Sequence, residues 1–202
     1  MLGVFLISLT TFLILLLLLR WRCERGEGRV LVVVLGDMGR SPRMQYHCLS
    51  LLKAGYSVEF VGYGGQPSTL KYFLKVTFQT CSLLWVMLQR AQKSSNVILQ
   101  VPPSIPTLFV CVLVCCLRNS RLIVDFHNYG HTLLALTLGS RHPLVGISRR
   151  YDEVLSRFAH SIICVSVAMK RDLDERLGVS VTVFHDRPPR RFKRADLYQK
   201  HK

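Results

Sequence analysis

Between Val30 and Phe184 short β-branched runs alternate with segments of helical period, and this alternation restricts the chain more than any other feature. Val30–Leu35 is an unbroken aliphatic run of the kind that lies buried on both faces of a parallel sheet. Behind it, Ser41 stands as an N-cap and Pro42 at the first helical position, with Met44, Cys48, Leu51 and Leu52 on one helical face and Gly55 as the stop. Tyr56–Val61 reads as a second strand, which makes a β-loop-helix-β unit with a right-handed crossover. Further strands are expected at Val97–Val101, Arg121–Phe126, Ser161–Val165 and Val181–Phe184. Helices are expected over Ile105–Leu117, over His142–Ala159 with Tyr151, Val154, Leu155 and Phe158 inward, and from Ser166 to Gly178. A polar loop is expected from Phe126 through Gly130. The whole predicts an α/β fold: an open, mostly parallel, Rossmann-like sheet with helices on both faces.

One helical stretch has two readings. Leu70, Phe73, Leu74, Phe78, Cys81, Leu84, Trp85 and Leu88 form a wide apolar stripe beside Lys71, Lys75 and Arg90. It suits a core-packed crossover helix, and it also suits a helix lying on a bilayer.

Ahead of the sheet, residues 2–19 hold no charge, and fourteen of these eighteen positions are Leu, Ile, Val or Phe. The run is just long enough to span a bilayer, with an insertion energy of about −4 to −8 kcal/mol. With no basic stretch before it and no small-x-small site after it, it reads as an anchor and not a cleaved signal. Arg20, Arg22, Arg25 and Arg29 follow and place the body of the chain on the cytosolic side. The expected organisation is an anchor over 1–20, a basic linker over 21–29, an α/β domain over 30–186 and a basic tail over 187–202.

The formal net charge of +15 calls for an anionic partner such as a phospholipid headgroup or a diphosphate. Nucleic acid is the poorest of the choices, because no nucleic-acid module is present and the charge surrounds a membrane span. Seven cysteines, an odd number, lie mostly in apolar runs, at Cys48, Cys81, Cys111, Cys115, Cys116 and Cys164. They read as reduced, buried thiols, and no metal site is expected from their spacing.

Chemistry in open α/β sheets collects at strand C-termini, so two loops matter. After the first strand come Gly36, Asp37, Gly39, Arg40 and Ser41, with Arg43 just inside the helix. Glycines, a helix N-terminus and arginines suit a phosphate, although the pattern is neither a P-loop nor G-x-G-x-x-G; the same residues suit a tight turn with solvated arginines. After the fourth strand come Asp125, His127, Asn128, Tyr129, Gly130 and His131, where a carboxylate and imidazoles suit proton transfer or sugar binding. Asp125 equally suits a cap and His127 a hydrogen-bonded core residue. Farther on, Asp186 next to Arg187 reads as a surface ion pair of little energy, at an exit marked by Pro188 and Pro189.

Gly36–His47, read as Gly-Asp-Met-Gly-Arg-Ser-Pro-Arg-Met-Gln-Tyr-His, together with Asp-Phe-His-Asn-Tyr-Gly at Asp125–Gly130, closely resembles the chitobiosyldiphosphodolichol β-mannosyltransferase family. The resemblance extends through the apolar N-terminus, Pro102-Pro103, His142-Pro143-Leu144 and Val-x-Val-Phe-His-Asp-Arg-Pro at Val181–Pro188. It implies the N-terminal half of a two-domain glycosyltransferase fold of the B type, on the cytosolic face of the endoplasmic reticulum membrane. The implied reaction adds mannose from GDP-mannose to chitobiose on dolichyl diphosphate, inverting the sugar carbon without a bound metal or other cofactor. His127 is the preferred base and Asp125 the second candidate. Gly36, Asp37, Gly39, Arg40, Ser41, Asn128, Tyr129 and Gly130 are the expected substrate contacts. Against full-length members the donor half is expected to be absent, and with it turnover by this chain alone. The alternative is a non-catalytic membrane module that partners a full-length homologue or other dolichol-pathway transferases.

Overall fold

The computed structural model describes residues 27–35, 41–62 and 72–186. The apolar run at 2–19, the linker through residue 26, Gly36, Asp37, Gly39 and Arg40, and the tail from residue 187 lie outside them. Six strands form one wholly parallel sheet: β1 Arg29–Val34, β2 Ser57–Gly62, β3 Asn96–Val101, β4 Arg121–Phe126, β5 Ser161–Cys164 and β6 Val181–Val183, in the order β2-β1-β3-β4-β5-β6. The order reverses between β1 and β3, which creates a crevice where their C-terminal ends diverge.

Two apolar layers show how the faces are covered. On one side Val30, Val32, Val34, Ile98, Phe60 and Ile123 pack under α1, Pro42–Lys53, through Met44, Cys48 and Leu51. On the other, Leu31, Val33, Leu99, Val101, Val124, Phe126, Ile162 and Val181 meet α2 (Tyr72–Trp85) and its π-helical turn Val86–Arg90, α3 (Thr107–Arg118), α5 (Pro143–Ser156) and α6 (Val167–Leu177). Among the described residues, α1 alone covers the first face. Its end is a Schellman turn: Gly55 has φ +87°, its N–H bonds the Leu52 carbonyl at 3.1 Å, and Tyr56 N–H reaches Leu51 at 3.0 Å. Ser166 caps α6 as expected, its hydroxyl accepting from Met169 N–H at 3.2 Å, and Gly178, at φ +68°, closes it.

Four expectations require correction. Leu52, Phe78, Trp85, Val154 and Phe158 are exposed, because the helices turn narrower apolar stripes to the sheet than the sequence period allowed; Leu83, Leu84, Met87, Tyr151 and Leu155 do the packing. Cys81 and Cys116 are exposed, whereas Cys111, Cys115 and Cys164 are buried, and all six described cysteines are free. Burial raises the Cys111 thiol well above its ordinary value. A helix, α4 (Gly130–Leu138), begins at the residue where the sequence predicted only the end of a loop. It has little periodic contrast, because His131, Thr132 and Thr137 are spread around it and none of its residues is fully buried: Leu133 and Leu138 are exposed, and Leu136 is 85% exposed. Finally, Ser41 occupies the N-cap position without capping, because its hydroxyl is committed to Gln100 on β3. Among the described residues, no helix is long and apolar enough to cross a membrane.

Truncating Leu99 to Ala at the centre of the sheet is expected to destabilise the fold by about 2–5 kcal/mol. Phe158→Ala is expected to change it by less than about 0.5 kcal/mol; denaturant midpoints measured in detergent compare the two.

Candidate functional site

Gln100 and Asp125 pair in register on β3 and β4, on the face that α1 covers, one residue short of the strand ends. Arg43 and His47 are one helical turn apart in α1, so both side chains reach this edge of the sheet. Arg43 grips Asp125 with two parallel bonds, Nε to Oδ2 at 2.7 Å and Nη2 to Oδ1 at 2.9 Å. His47 Nε2 lies 3.0 Å from Oδ2. A carboxylate only accepts, so His47 carries its proton on Nε2. The third guanidinium nitrogen, Nη1, donates to the Phe184 carbonyl at 2.9 Å and to Asp186 Oδ1 at 2.6 Å. The Phe184 ring packs on both, 5.5 Å from the guanidinium carbon and 5.1 Å from the imidazole.

The Arg43 and Asp125 side chains are 5% and 0% exposed, so this is a buried ion pair. Burial alone would raise the Asp125 carboxyl; hydrogen bonds from His47 and Arg43, and the charge on Arg43, overcome it and hold the group below the usual carboxylate range. Burial works against the Arg43 cation in the same way, and its bonds to Asp125 and Asp186 more than restore it. Arg43 is therefore neither a solvated arginine nor a spare cation for a phosphate. Asp186 faces Arg43 on this edge; its expected surface partner Arg187 lies outside the described residues.

His127 follows β4 and is 37% exposed, with Nε2 3.4 Å from Asp186 Oδ2. Its Nδ1 lies 3.2 Å from the Asn128 amide nitrogen, which donates to it. The acid beside His127 is thus Asp186, while Asp125 holds Arg43 and His47. Tyr129 turns away from this edge: its hydroxyl donates to Asp172 at 2.5 Å, and Arg176 stacks 5.4 Å from its ring. A Cβ at Gly130 would meet Pro102 at 3.5 Å, an ordinary contact, so space alone does not demand glycine there. Beneath it Asp152 is buried, and that burial raises its carboxyl to about 6.

Arg43, His47 and Asp186 were not singled out together from the sequence. The first two stood in view as polar residues one turn apart on a helix with an otherwise apolar inner face, a pattern that points to a polar partner opposite. Among the described residues, no group of three or more His, Cys, Asp or Glu side chains is arranged to hold a metal ion.

A doubly wound parallel sheet with polar groups converging at its C-terminal edge defines the class: the chain is a Rossmann-like α/β domain of the kind that receives ligands at that edge. No protein-family model matches it. It is 37% identical to the chitobiosyldiphosphodolichol beta-mannosyltransferase of Mus musculus over 97% of this chain and 46% of the relative. The human protein of that name is 35% identical over 91% of this chain and 45% of the relative. The Arabidopsis thaliana UDP-glycosyltransferase TURAN is 37% identical over 87% and 44%. The chain belongs to the chitobiosyldiphosphodolichol β-mannosyltransferase family, and it spans about half the length of the curated relatives it matches.

Replacing Arg43 by Ala strands a buried carboxylate, and the expected loss near neutral pH is about 3–5 kcal/mol. Because the folded-state pKa of Asp125 is depressed, the stability it contributes is present above the unfolded value of about 3.9 and is lost as pH falls through the folded value. In the variant the unpaired carboxyl titrates upward instead. The gap between parent and variant is therefore expected to shrink on acidification, which urea midpoints from pH 7 down to pH 3 measure.

Proposed function

We propose that the chain is the acceptor-side half of a B-type glycosyltransferase fold, and that it holds chitobiose on dolichyl diphosphate for transfer of mannose from GDP-mannose. The observation that carries this reading is identity of 35–37% to β-mannosyltransferases over more than nine-tenths of the chain. The geometry agrees with it, because the polar cluster lies at the sheet edge where α/β folds receive ligands. In the proposed reaction the acceptor hydroxyl attacks the mannosyl carbon from the face opposite GDP, which leaves with the bonding electrons. His127 takes the hydroxyl proton. Asp186 faces Nε2, and Nδ1, which accepts from the neighbouring Asn128 amide, is the nitrogen with a lone pair for that proton. Asp125 serves by position: it fixes Arg43, which in turn fixes the carbonyl of Phe184 and the carboxylate of Asp186. The Gly36, Asp37, Gly39 and Arg40 segment is proposed to meet the diphosphate, as its glycines and charge suit.

A second reading is a non-catalytic membrane module that pairs with a full transferase. The two separate in one assay. Membranes containing this chain alone, or the chain fused to the second half of the mouse relative, are given GDP-mannose and a chitobiosyl-diphosphate lipid. The first reading expects transfer by the fusion, lowered about 10²–10⁴-fold in His127→Ala with lipid binding retained. Absence of transfer by the fusion, with co-purification of a full-length transferase, supports the second.

We also propose that residues 2–19 span the endoplasmic reticulum membrane, with residues 30–186 on its cytosolic face. The exposed Leu133, Leu136, Leu144 and Ile147 of α4 and α5, beside Arg141, Arg149 and Arg150, fit a headgroup surface. The intact chain is expected to stay in the pellet after alkaline carbonate extraction, and deletion of residues 2–19 is expected to release it.

A further inference from the structure

A cavity of about 180 Å³ lies under the C-terminal ends of β1 and β2, on the face of the sheet opposite Arg43. Val33, Leu35 and Val61 from the strand ends and Leu83 and Val86 from α2 and its π turn give it a mainly aliphatic wall that is partly open to solvent, with Gln79 and Ser82 of α2 and Thr107 at the start of α3 as its polar members. Thr107 is fully buried, and its hydroxyl has no hydrogen-bond partner among the described residues. Interiors are otherwise close-packed, so a void of this size stands out. An aliphatic cavity of about 150 Å³ stays dry and admits benzene, so this one has room for roughly one to two five-carbon units.

Its position narrows the choice of ligand. The cavity and the Arg43 cluster share the C-terminal edge of the sheet and flank the β1/β3 reversal from opposite faces. A ligand bound across that reversal meets an aliphatic wall on one side and polar groups on the other. One that is apolar along its length and bears an oxygen at its head satisfies both the wall and the unpartnered Thr107 hydroxyl.

We propose that this cavity receives the first one or two isoprene units of a polyprenyl diphosphate, so that the domain reads the lipid as well as the sugar of its acceptor. The proposal rests on the acceptor-side reading given above and adds the part of the carrier that is recognised. It means that affinity depends on the prenyl chain next to the diphosphate, not only on the membrane that holds it.

The test uses the full chain in detergent, with geranyl diphosphate and inorganic pyrophosphate as probes and chitobiosyl diphosphate as the sugar-bearing control. Geranyl diphosphate is expected to bind at least tenfold more tightly than pyrophosphate. Val86→Phe and Ser82→Leu, which fill the cavity, are expected to bring that ratio close to one while pyrophosphate affinity stays unchanged. Equal affinity of the two probes in the parent, or an undiminished ratio in folded variants, overturns the proposal. A photoreactive geranyl diphosphate gives a readout that needs no substitution: crosslinks on residues 79–86 or Thr107 are expected, and crosslinks confined elsewhere overturn it. Failure of chitobiosyl diphosphate and pyrophosphate alike to bind counts against the acceptor-side reading itself, whereas anion binding without chain preference sinks only this inference.

Discussion

The buried ion pair between Arg43 and Asp125 is the constraint around which this edge of the molecule is arranged. Two desolvated charges are tolerable inside a protein only when geometry and additional hydrogen bonds compensate for lost water. Here both partners are extensively hydrogen-bonded. Asp125 accepts from both nitrogens of the guanidinium fork and from His47, and Arg43 spends its remaining nitrogen on Phe184 and Asp186. One side chain of α1 thereby ties β4 to the segment leaving β6, partners 82 and 143 residues away in sequence. Fixing Asp186 also determines what His127 faces, so a structural pair inside the sheet edge sets the surroundings of an exposed imidazole.

The doubly wound topology gives the two faces different chemistry at the reversal between β1 and β3. On the α1 face the strand ends carry Gln100 and Asp125, and charge is neutralised there. On the α2 and α3 face the neighbouring end of β1 presents Val33 and Leu35 to an aliphatic pocket. Alternation of side chains across a strand makes this division unavoidable once the register is set. A lipid-linked, diphosphate-bearing acceptor is an amphiphile of the same kind, which is why the two features are read together.

Many features of this fold were legible in the residue order. Aliphatic runs such as Val30–Leu35 and Arg121–Phe126 can hardly be anything but buried parallel strands, and Ser166 and Gly178 mark their helix ends through local backbone chemistry. The narrower burial of the helices was not legible, because period reports which residues share a stripe and not how much of that stripe a neighbour covers. α4 was not legible for a related reason: a short, mostly apolar helix whose few polar residues, His131, Thr132 and Thr137, are spread around it has little periodic contrast.

The sequence by itself determined where chemistry is expected, the loops after the first and fourth strands, because strand C-termini in a parallel sheet carry the free ends of the connections; residues 36–40 of the first loop lie outside the described residues. It also determined the family, through Gly36–His47 and Asp125–Gly130. Only the tertiary structure decided who pairs with whom. Asp125 was read as the carboxylate beside His127, two positions along the chain. Yet the strand ends at Phe126, so His127 leaves the ladder, while Asp125 stays within it under α1 beside Arg43 and His47; His127 finds its carboxylate in Asp186. Adjacency in sequence is a one-dimensional property, whereas electrostatic partnership depends on distance and desolvation in three.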